Sequence, residues 1–211
     1  MLSYGNPSRQ FLPFLKTETY LDSLLGELAS YPYPSNNGQD VIDEINQLIN
    51  YTNTLSSDET LQKRYKIYDE EFEEYFINSL SNSGADRALI TSLIKEIKKD
   101  IYPLIIKLKY HYQRVRPYQL SHILSMRLYE FDSKTANTPS YPSGHGIQSK
   151  VYAEVLGNLY PKFYKKIQEL AEDIGNSRLS MGIHYPSDLL FGEYVSELII
   201  KHPEFKKKYK L

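Results

Sequence analysis

Three short groups of residues carry the chemistry open to this chain. Lys109, Arg116 and Pro117 stand as K-x6-R-P, Pro142 to His145 read Pro-Ser-Gly-His, and Ser177, Arg178, His184 and Asp188 follow as S-R-x5-H-x3-D. Lys109, Arg116 and Arg178 supply positive charge of the kind that phosphoryl transfer needs to balance charge spread over the equatorial oxygens. The two arginines can also grip oxygens in a fixed fork. Ser143 and Gly144 fall where a loop enters a helix, so backbone N–H groups and the positive end of the helix dipole face incoming anionic oxygens. His184 supplies an imidazole that can attack phosphorus once one ring nitrogen faces the substrate and the other N–H is held by an acceptor. Asp188, four residues on, can reach back to hold it. His145, in the first turn beside the phosphate-binding amides, can protonate a departing alkoxide and later activate water, help worth roughly 100 to 10,000-fold in rate. A two-histidine, one-carboxylate metal site from His145, His184 and Asp188 is the competing reading. Three cations converging on the same place would repel a metal ion, so none is expected.

The elements that must position these groups read almost entirely as helix. Residues 1 to 38 carry Pro7, Pro13, Pro32 and Pro34 around one short helical stretch, Thr17 to Ser30, and predict a segment lying over a core. Val41, Ile45, Leu48 and Ile49 repeat at helical spacing after an Asn-Asn-Gly turn and start a helix near Gln39. Leu61, Tyr65, Tyr68, Phe72, Tyr75 and Leu80 mark another, with Ser57 and Asp58 as candidate N-caps and an acidic outer face at Asp69 to Glu74. Leu89 to Leu108 form a long apolar stripe that delivers Lys109, with Pro103 predicted to kink it or begin a second segment. Asp132 to Pro142 is dense in Ser, Thr, Asn and Pro and reads as a loop. Two helices joined by a tight corner follow, one from Ser143 through Leu159 and one carrying Phe163, Ile167, Leu170 and Ile174. The last helix starts at Pro186, the favoured first position for proline, with Phe191, Val195, Leu198 and Ile199 inward. The basic end, His202 to Lys210, is expected to be a solvated tail rather than a nucleic-acid contact.

Composition bounds the rest. With 211 residues, 41% hydrophobic and 24% charged, the chain is long enough for one domain with a real core, and residues 1–211 are read as a single domain whose motif region spans 109–192. A net charge of -1 argues against a polyanion-binding surface over the whole molecule, so no nucleic-acid partner is expected. The absence of cysteine excludes disulfides and thiolate metal sites. The N-terminus lacks the basic start and apolar run of a secretory signal, which predicts a cytoplasmic protein unless a leader has been removed. No stretch approaches the roughly 18 apolar residues of a membrane span. Twenty tyrosines and no tryptophan are unusual, and most tyrosines fall on or beside apolar stripes, where packing explains them.

Taken together, the three spacings resemble the type 2 phosphatidic acid phosphatase superfamily, which includes class A non-specific acid phosphatases and vanadium haloperoxidases. The resemblance covers Lys109 to about Gly192, and the first half of the chain matches no motif. It implies an all-α, single-domain helical bundle of the acid phosphatase and haloperoxidase type. It further implies that Lys109, Arg116, Ser143, Gly144 and Arg178 bind phosphate or vanadate. His184 would become phosphorylated, or bond vanadium, with Asp188 orienting it and His145 serving as the acid. The forms Ser140 to His145 and Gly182 to Asp188 look most like the class A soluble enzymes. A metal-independent phosphatase acting on a small phosphomonoester, with a lipid phosphate or diphosphate as variants, is the expectation. It needs no cofactor, and vanadate would act as an inhibitor. A vanadate-dependent haloperoxidase is the alternative, a non-catalytic phosphate-binding protein the second alternative, and a homo-oligomer is left open. The missing signal peptide departs from the exported relatives. Specificity is expected from residues 1 to 38 and 118 to 140.

Overall fold

In the computed structural model, residues 2–211 are described, and among them the regular structure is entirely helical. The chain begins with α1 (Leu12–Lys16), a 3-10 turn over Tyr20–Leu24 and α2 (Leu25–Ala29). The single helix expected over Thr17 to Ser30 is thus split. These pieces lie against the long helix α5 (Arg87–Tyr112), with Leu21 and Leu28 fully buried and Lys107 Nζ bonded to the Thr17 carbonyl at 2.7 Å and to Asp22.

Helix α3 (Gln39–Ser56) turns Val41, Ile45 and Leu48 inward, as its period requires, and they pack with Val115, Leu120 and Tyr185 in a satellite core. Helix α4 (Glu59–Ser81) starts at Asp58, whose carboxylate accepts the Leu61 N–H at 2.9 Å. At Glu71 the backbone leaves the helical region (φ -140°, ψ 30°), so the helix kinks there while its buried face continues from Tyr65 and Asp69 to Phe72, Phe76 and Leu80. Of the expected acidic outer face from Asp69 to Glu74, Glu70 and Glu71 are exposed, but Asp69 is turned inward beside Phe72 and is 2% exposed.

Helix α5 runs unbroken through Pro103, neither restarting there nor dividing into two segments. Pro103 is itself buried, and the apolar faces of Ile97, Ile101, Leu104 and Leu108, all fully buried, hold the helix on both sides of it. Tertiary packing overrides the local cost of the proline. Gln113, in the left-handed region at φ 52°, ends α5, and an extended Arg114 to Arg116 leads into α6 (Pro117–Ile123). The loop that follows reaches α7 (Gly144–Leu159), which pairs through a 3-10 corner at Pro161–Phe163 with α8 (Tyr164–Ser180). Helix α9 (Pro186–Lys201) closes the bundle. The main core is shared by α4, α5, α7, α8 and α9.

The basic end is not a free tail. It folds as α10 (Pro203–Tyr209), burying Phe205 and Tyr209 in the main core. Lys208 bridges to Asp100 at 2.8 Å and Glu96 at 3.0 Å, while the Tyr20 and Tyr209 hydroxyls both donate to Asp100 at 2.8 Å. The spacing of Phe205 and Tyr209, one helical turn apart, supplies the apolar contact that a count of lysines hides.

Candidate active site

Each motif is delivered by the end of a helix. Helix α8 stops in a Schellman arrangement: Gly182, at φ 67°, donates to the Leu179 carbonyl at 2.9 Å, and Ile183 N–H donates to the Arg178 carbonyl at 3.2 Å. Glycine is required there because its conformation is left-handed and an added Cβ would sit 2.9 Å from Thr52 Cγ2. The turn places His184 directly after the helix that carries Arg178. Helix α9 then begins at Pro186, and the Asp188 carboxylate folds back to accept the Tyr185 N–H at 3.0 Å. Ser143 caps α7, its Oγ accepting the Gly146 N–H at 3.3 Å. Behind this cap Tyr141 stacks on Phe191, with ring centroids 4.6 Å apart and planes 2° apart, which ties the loop to α9.

Lys109, Arg116, Gly144, His145, Arg178 and His184 converge on one cavity of about 290 Å³. Ser143 and Asp188 stand just behind its wall. The Ser143 N–H is occupied by the Asp188 carbonyl at 3.0 Å, so the α7 amides that remain for an anion are those of Gly144 and His145.

His184 is 2% exposed and its two ring nitrogens have different partners. Nδ1 meets Asp188 Oδ2 at 3.0 Å, and Nε2 meets Arg116 Nη1 at 3.0 Å. A guanidinium can only donate, so Nε2 accepts and the proton sits on Nδ1, directed at the carboxylate. Burial, with Arg116 adding to it, pushes the His184 pKa well below its ordinary value. The ring is therefore neutral with a lone pair at the cavity.

Asp188 is fully buried and fully used. It accepts from His184 and from Tyr185 N–H, from the Ser140 hydroxyl, and from Arg114 Nη1 at 2.7 Å. Burial alone raises a carboxyl pKa, yet Arg114, the His184 contact and Ser140 outweigh it and hold Asp188 far below the usual range.

The cations are equally constrained. Lys109 Nζ donates to the carbonyls of Pro139 at 2.8 Å and Ser140 at 3.3 Å, and burial lowers its pKa well below the ordinary value, with Arg116 adding to the effect. Arg116 donates to the carbonyls of Thr138 at 2.9 Å and Ile183 at 2.8 Å, and burial brings its pKa to about 10. Arg178 donates to Asp69 Oδ1 at 2.6 Å and to Thr135 Oγ1 at 2.9 Å, and its Nε has no partner.

His145 rests on Phe72, ring centroids 4.6 Å apart, and its Nε2 lies 3.2 Å from the backbone carbonyl of Asp69. Only an N–H can bond a carbonyl, so Nε2 is the donor and Nδ1 is left for an exchangeable proton. Burial, then the charge of Arg178, pushes its pKa well below the ordinary value.

Residue-by-residue reading of the sequence missed Asp69, Arg114 and Glu44. Asp69 accepts from Arg178, Ser133, Thr135 and the Lys134 N–H, and so joins α4 and the 133–135 loop to the cavity. Arg114, fully buried, bonds Asp188 and reaches Glu44 at 2.9 Å. Arg114 had a signal, its place two residues before Arg116, and Asp69 had one, its place four residues after Tyr65 and three before Phe72 on the apolar face of α4; Glu44 had none. The expected specificity segments contribute Gln10, Phe11, Lys134, Thr135, Asn137 and Thr138 to the lining, and α4 adds Glu70 and Glu73 at the mouth.

The family model described as the PAP2 superfamily matches residues 88–202, more than half of the chain and every position of the three motifs. The chain belongs to the PAP2 superfamily. Among curated relatives, a non-specific acid phosphatase of Providencia stuartii is 30% identical over 104 residues, 47% of this chain and 42% of the relative. A non-specific acid phosphatase of Salmonella typhi is 33% identical over 87 residues, 41% of this chain and 34% of the relative. This PAP2 chain thus spans less than half the length of the relatives it matches. A solved structure, described as the first transmembrane PAP2 type phosphatidylglycerolphosphate phosphatase from Bacillus subtilis, aligns over 80% of this chain and 95% of its own at 19% identity and a TM-score of 0.37, too distant a likeness to carry an argument. Among the described residues of this PAP2 chain, no helix is long and apolar enough to cross a membrane.

Proposed function

We propose that this protein is a metal-independent phosphatase that hydrolyses small phosphomonoesters through a phosphohistidine at His184. The observation that carries the proposal is the state of His184: a neutral ring, its Nδ1–H held by Asp188, with the Nε2 lone pair facing a cavity ringed by Lys109, Arg116 and Arg178.

In this reading the phosphoryl oxygens take the free donors of Lys109, Arg116 and Arg178 and the amides of Gly144 and His145. Arg116 gives up its bond to Nε2 in favour of a phosphoryl oxygen and so frees the nucleophile. Nε2 attacks phosphorus, the bond to the leaving oxygen breaks, and that oxygen takes a proton from His145 Nδ1. The negative substrate opposes the desolvation that keeps His145 neutral in the empty cavity, which readies it as an acid. Water then attacks the phosphorus and passes its proton to His145, and the N–P bond breaks to release phosphate. Asp188 holds the Nδ1 proton and balances the cationic ring in both steps. The similarity to acid phosphatases supports the same reaction class.

Rapid quenching of the enzyme with radiolabelled p-nitrophenyl phosphate tests this. Label should appear on the protein in a bond that survives base and is lost in acid, as a phosphoimidazole is, and His184→Ala should remove it. Label that persists in His184→Ala would assign the nucleophile elsewhere.

A further inference from the structure

The site behind His184 does not end at Asp188. Asp188 Oδ1 receives Arg114 Nη1 at 2.7 Å, and the other arm of the same guanidinium, Nη2, reaches Glu44 Oε2 at 2.9 Å. Glu44 Oε1 in turn accepts the Ser187 N–H at 2.7 Å, an amide in the first turn of α9. Arg114 Nη1 also donates to the Ser187 hydroxyl at 2.7 Å, and the guanidinium plane lies 3.8 Å from the centre of the Tyr185 ring. A charged chain, Glu44 to Arg114 to Asp188 to His184, therefore runs inward from α3, and Arg114 and Asp188 in it have no exposed side-chain surface. Only a planar fork can bond two carboxylates along its edge while stacking on a ring, so lysine could supply the charge of Arg114 but not these contacts.

We infer that Arg114, held by Glu44, is a positioning residue that cancels the charge of Asp188 and so keeps His184 unprotonated and nucleophilic in acid. The inference rests on the reading of His184 as nucleophile. An orienting carboxylate does two things at once to a histidine: it fixes the tautomer, and it raises basicity by favouring the cation. The second effect would protonate Nε2 and silence it at low pH. Arg114 leaves the hydrogen bond intact and removes most of the field. The other charges facing the ring act in the same direction: Arg116 and Lys109 both lower its pKa, and Asp188 is the carboxylate that raises it. Tyr185 and Tyr33 lie near the chain with pKa values raised, by burial first, and stay neutral across the working range. Glu44 lies beyond Arg114, where it orients the fork and tempers its charge.

The test follows His184 directly. The chain has five histidines, so the ring nitrogens of uniformly labelled protein can be followed by NMR against pH, with His184→Ala assigning the signal. Arg114→Gln should raise the His184 midpoint by at least about one pH unit, as loss of a unit charge on the far side of the Asp188 carboxylate implies at an effective dielectric near 20. Arg114→Lys should restore part of that shift. Glu44→Gln, which removes a negative charge while keeping an acceptor for Ser187, should not raise it. The acid limb of kcat/KM for p-nitrophenyl phosphate should move up with the Arg114→Gln midpoint. A midpoint unmoved in Arg114→Gln would overturn the inference. So would an equal rise in Glu44→Gln, since that would mark disturbed packing rather than lost charge. If wild-type protein hydrolyses no phosphate ester, the proposed function fails, while the titration still decides the role of Arg114.

Discussion

Replacing Asp69 by asparagine should weaken the fold in a way that depends on pH, and the dependence can be worked out in advance. Asp69 is 2% exposed and its carboxylate accepts from Arg178, Ser133, Thr135 and the Lys134 N–H. Burial alone would raise its pKa, but Arg178 and the hydroxyl bonds bring it from the ordinary 3.8 down to about 2. A depressed carboxyl pKa stabilises the folded state above the ordinary value and loses that contribution as pH falls toward the folded value. The gap corresponds to ~2 kcal/mol at neutral pH, with about half of it gone by pH 3. Asparagine keeps the shape and one acceptor but leaves Arg178 without its counter-charge, and breaking a buried pair costs up to about 3–5 kcal/mol. Urea unfolding of wild type and Asp69→Asn should therefore differ by ~2 to 4 kcal/mol from pH 7 down to pH 5, and the difference should shrink between pH 4 and pH 3. Subtracting one protein from the other removes the share of Asp188, which is the same in both. A difference that stays constant from pH 7 to pH 3 would refute the assignment of that stability to an ionised Asp69.

Three further outcomes are expected. In His145→Ala the pre-steady-state burst with an alkyl phosphate should fall by about 100-fold or more, and with p-nitrophenyl phosphate much less, because phenolate leaves without a proton; equal losses would remove His145 from the acid role. Hydrolysis should persist in excess EDTA and be inhibited competitively by vanadate, which as a five-coordinate adduct at His184 resembles the transition state; loss in chelator with rescue by a divalent metal would contradict the charge arrangement proposed here. Gly182→Ala should cost about 1–2 kcal/mol by thermal or urea denaturation, because the left-handed turn resists a Cβ and Thr52 already stands 2.9 Å from where it would go.

What the sequence made legible was whatever is written in local spacing. K-x6-R-P and S-R-x5-H-x3-D each join the end of one helix to the start of the next and P-S-G-H opens a helix, so residue types at fixed intervals translate into geometry, and six of the eight candidate site residues line one cavity. The helical character of the chain was legible for the same reason, because apolar residues recur at the period of a helix in α3, α5, α7 and α9. Asp69 was harder to read. It lies on the same face as Tyr65 and Phe72, but its neighbours Glu70 to Glu74 look like a solvated face, and the partner that justifies a buried carboxylate is 109 positions away. Glu44 meets Arg114 across 70 positions and belongs to no pattern. The basic end was misread because lysines outnumber the two aromatic residues that anchor it, and a second segment does not begin at Pro103 because propensity is a local argument and α5 is held by its surroundings.

The turn that ends α8 gives the S-R-x5-H-x3-D spacing a meaning apart from chemistry. The Arg178 carbonyl is the acceptor that closes the turn, and His184 is the second residue beyond the glycine that permits it. The interval between the arginine and the histidine is thus the length of one helix stop, and the interval from histidine to aspartate is the length of one helix start. Chain length can drift between α6 and Ser133, a stretch that makes no hydrogen bond to the site. Between Arg178 and Asp188 it cannot, for one added residue would turn the imidazole away from its carboxylate while leaving every residue type in place.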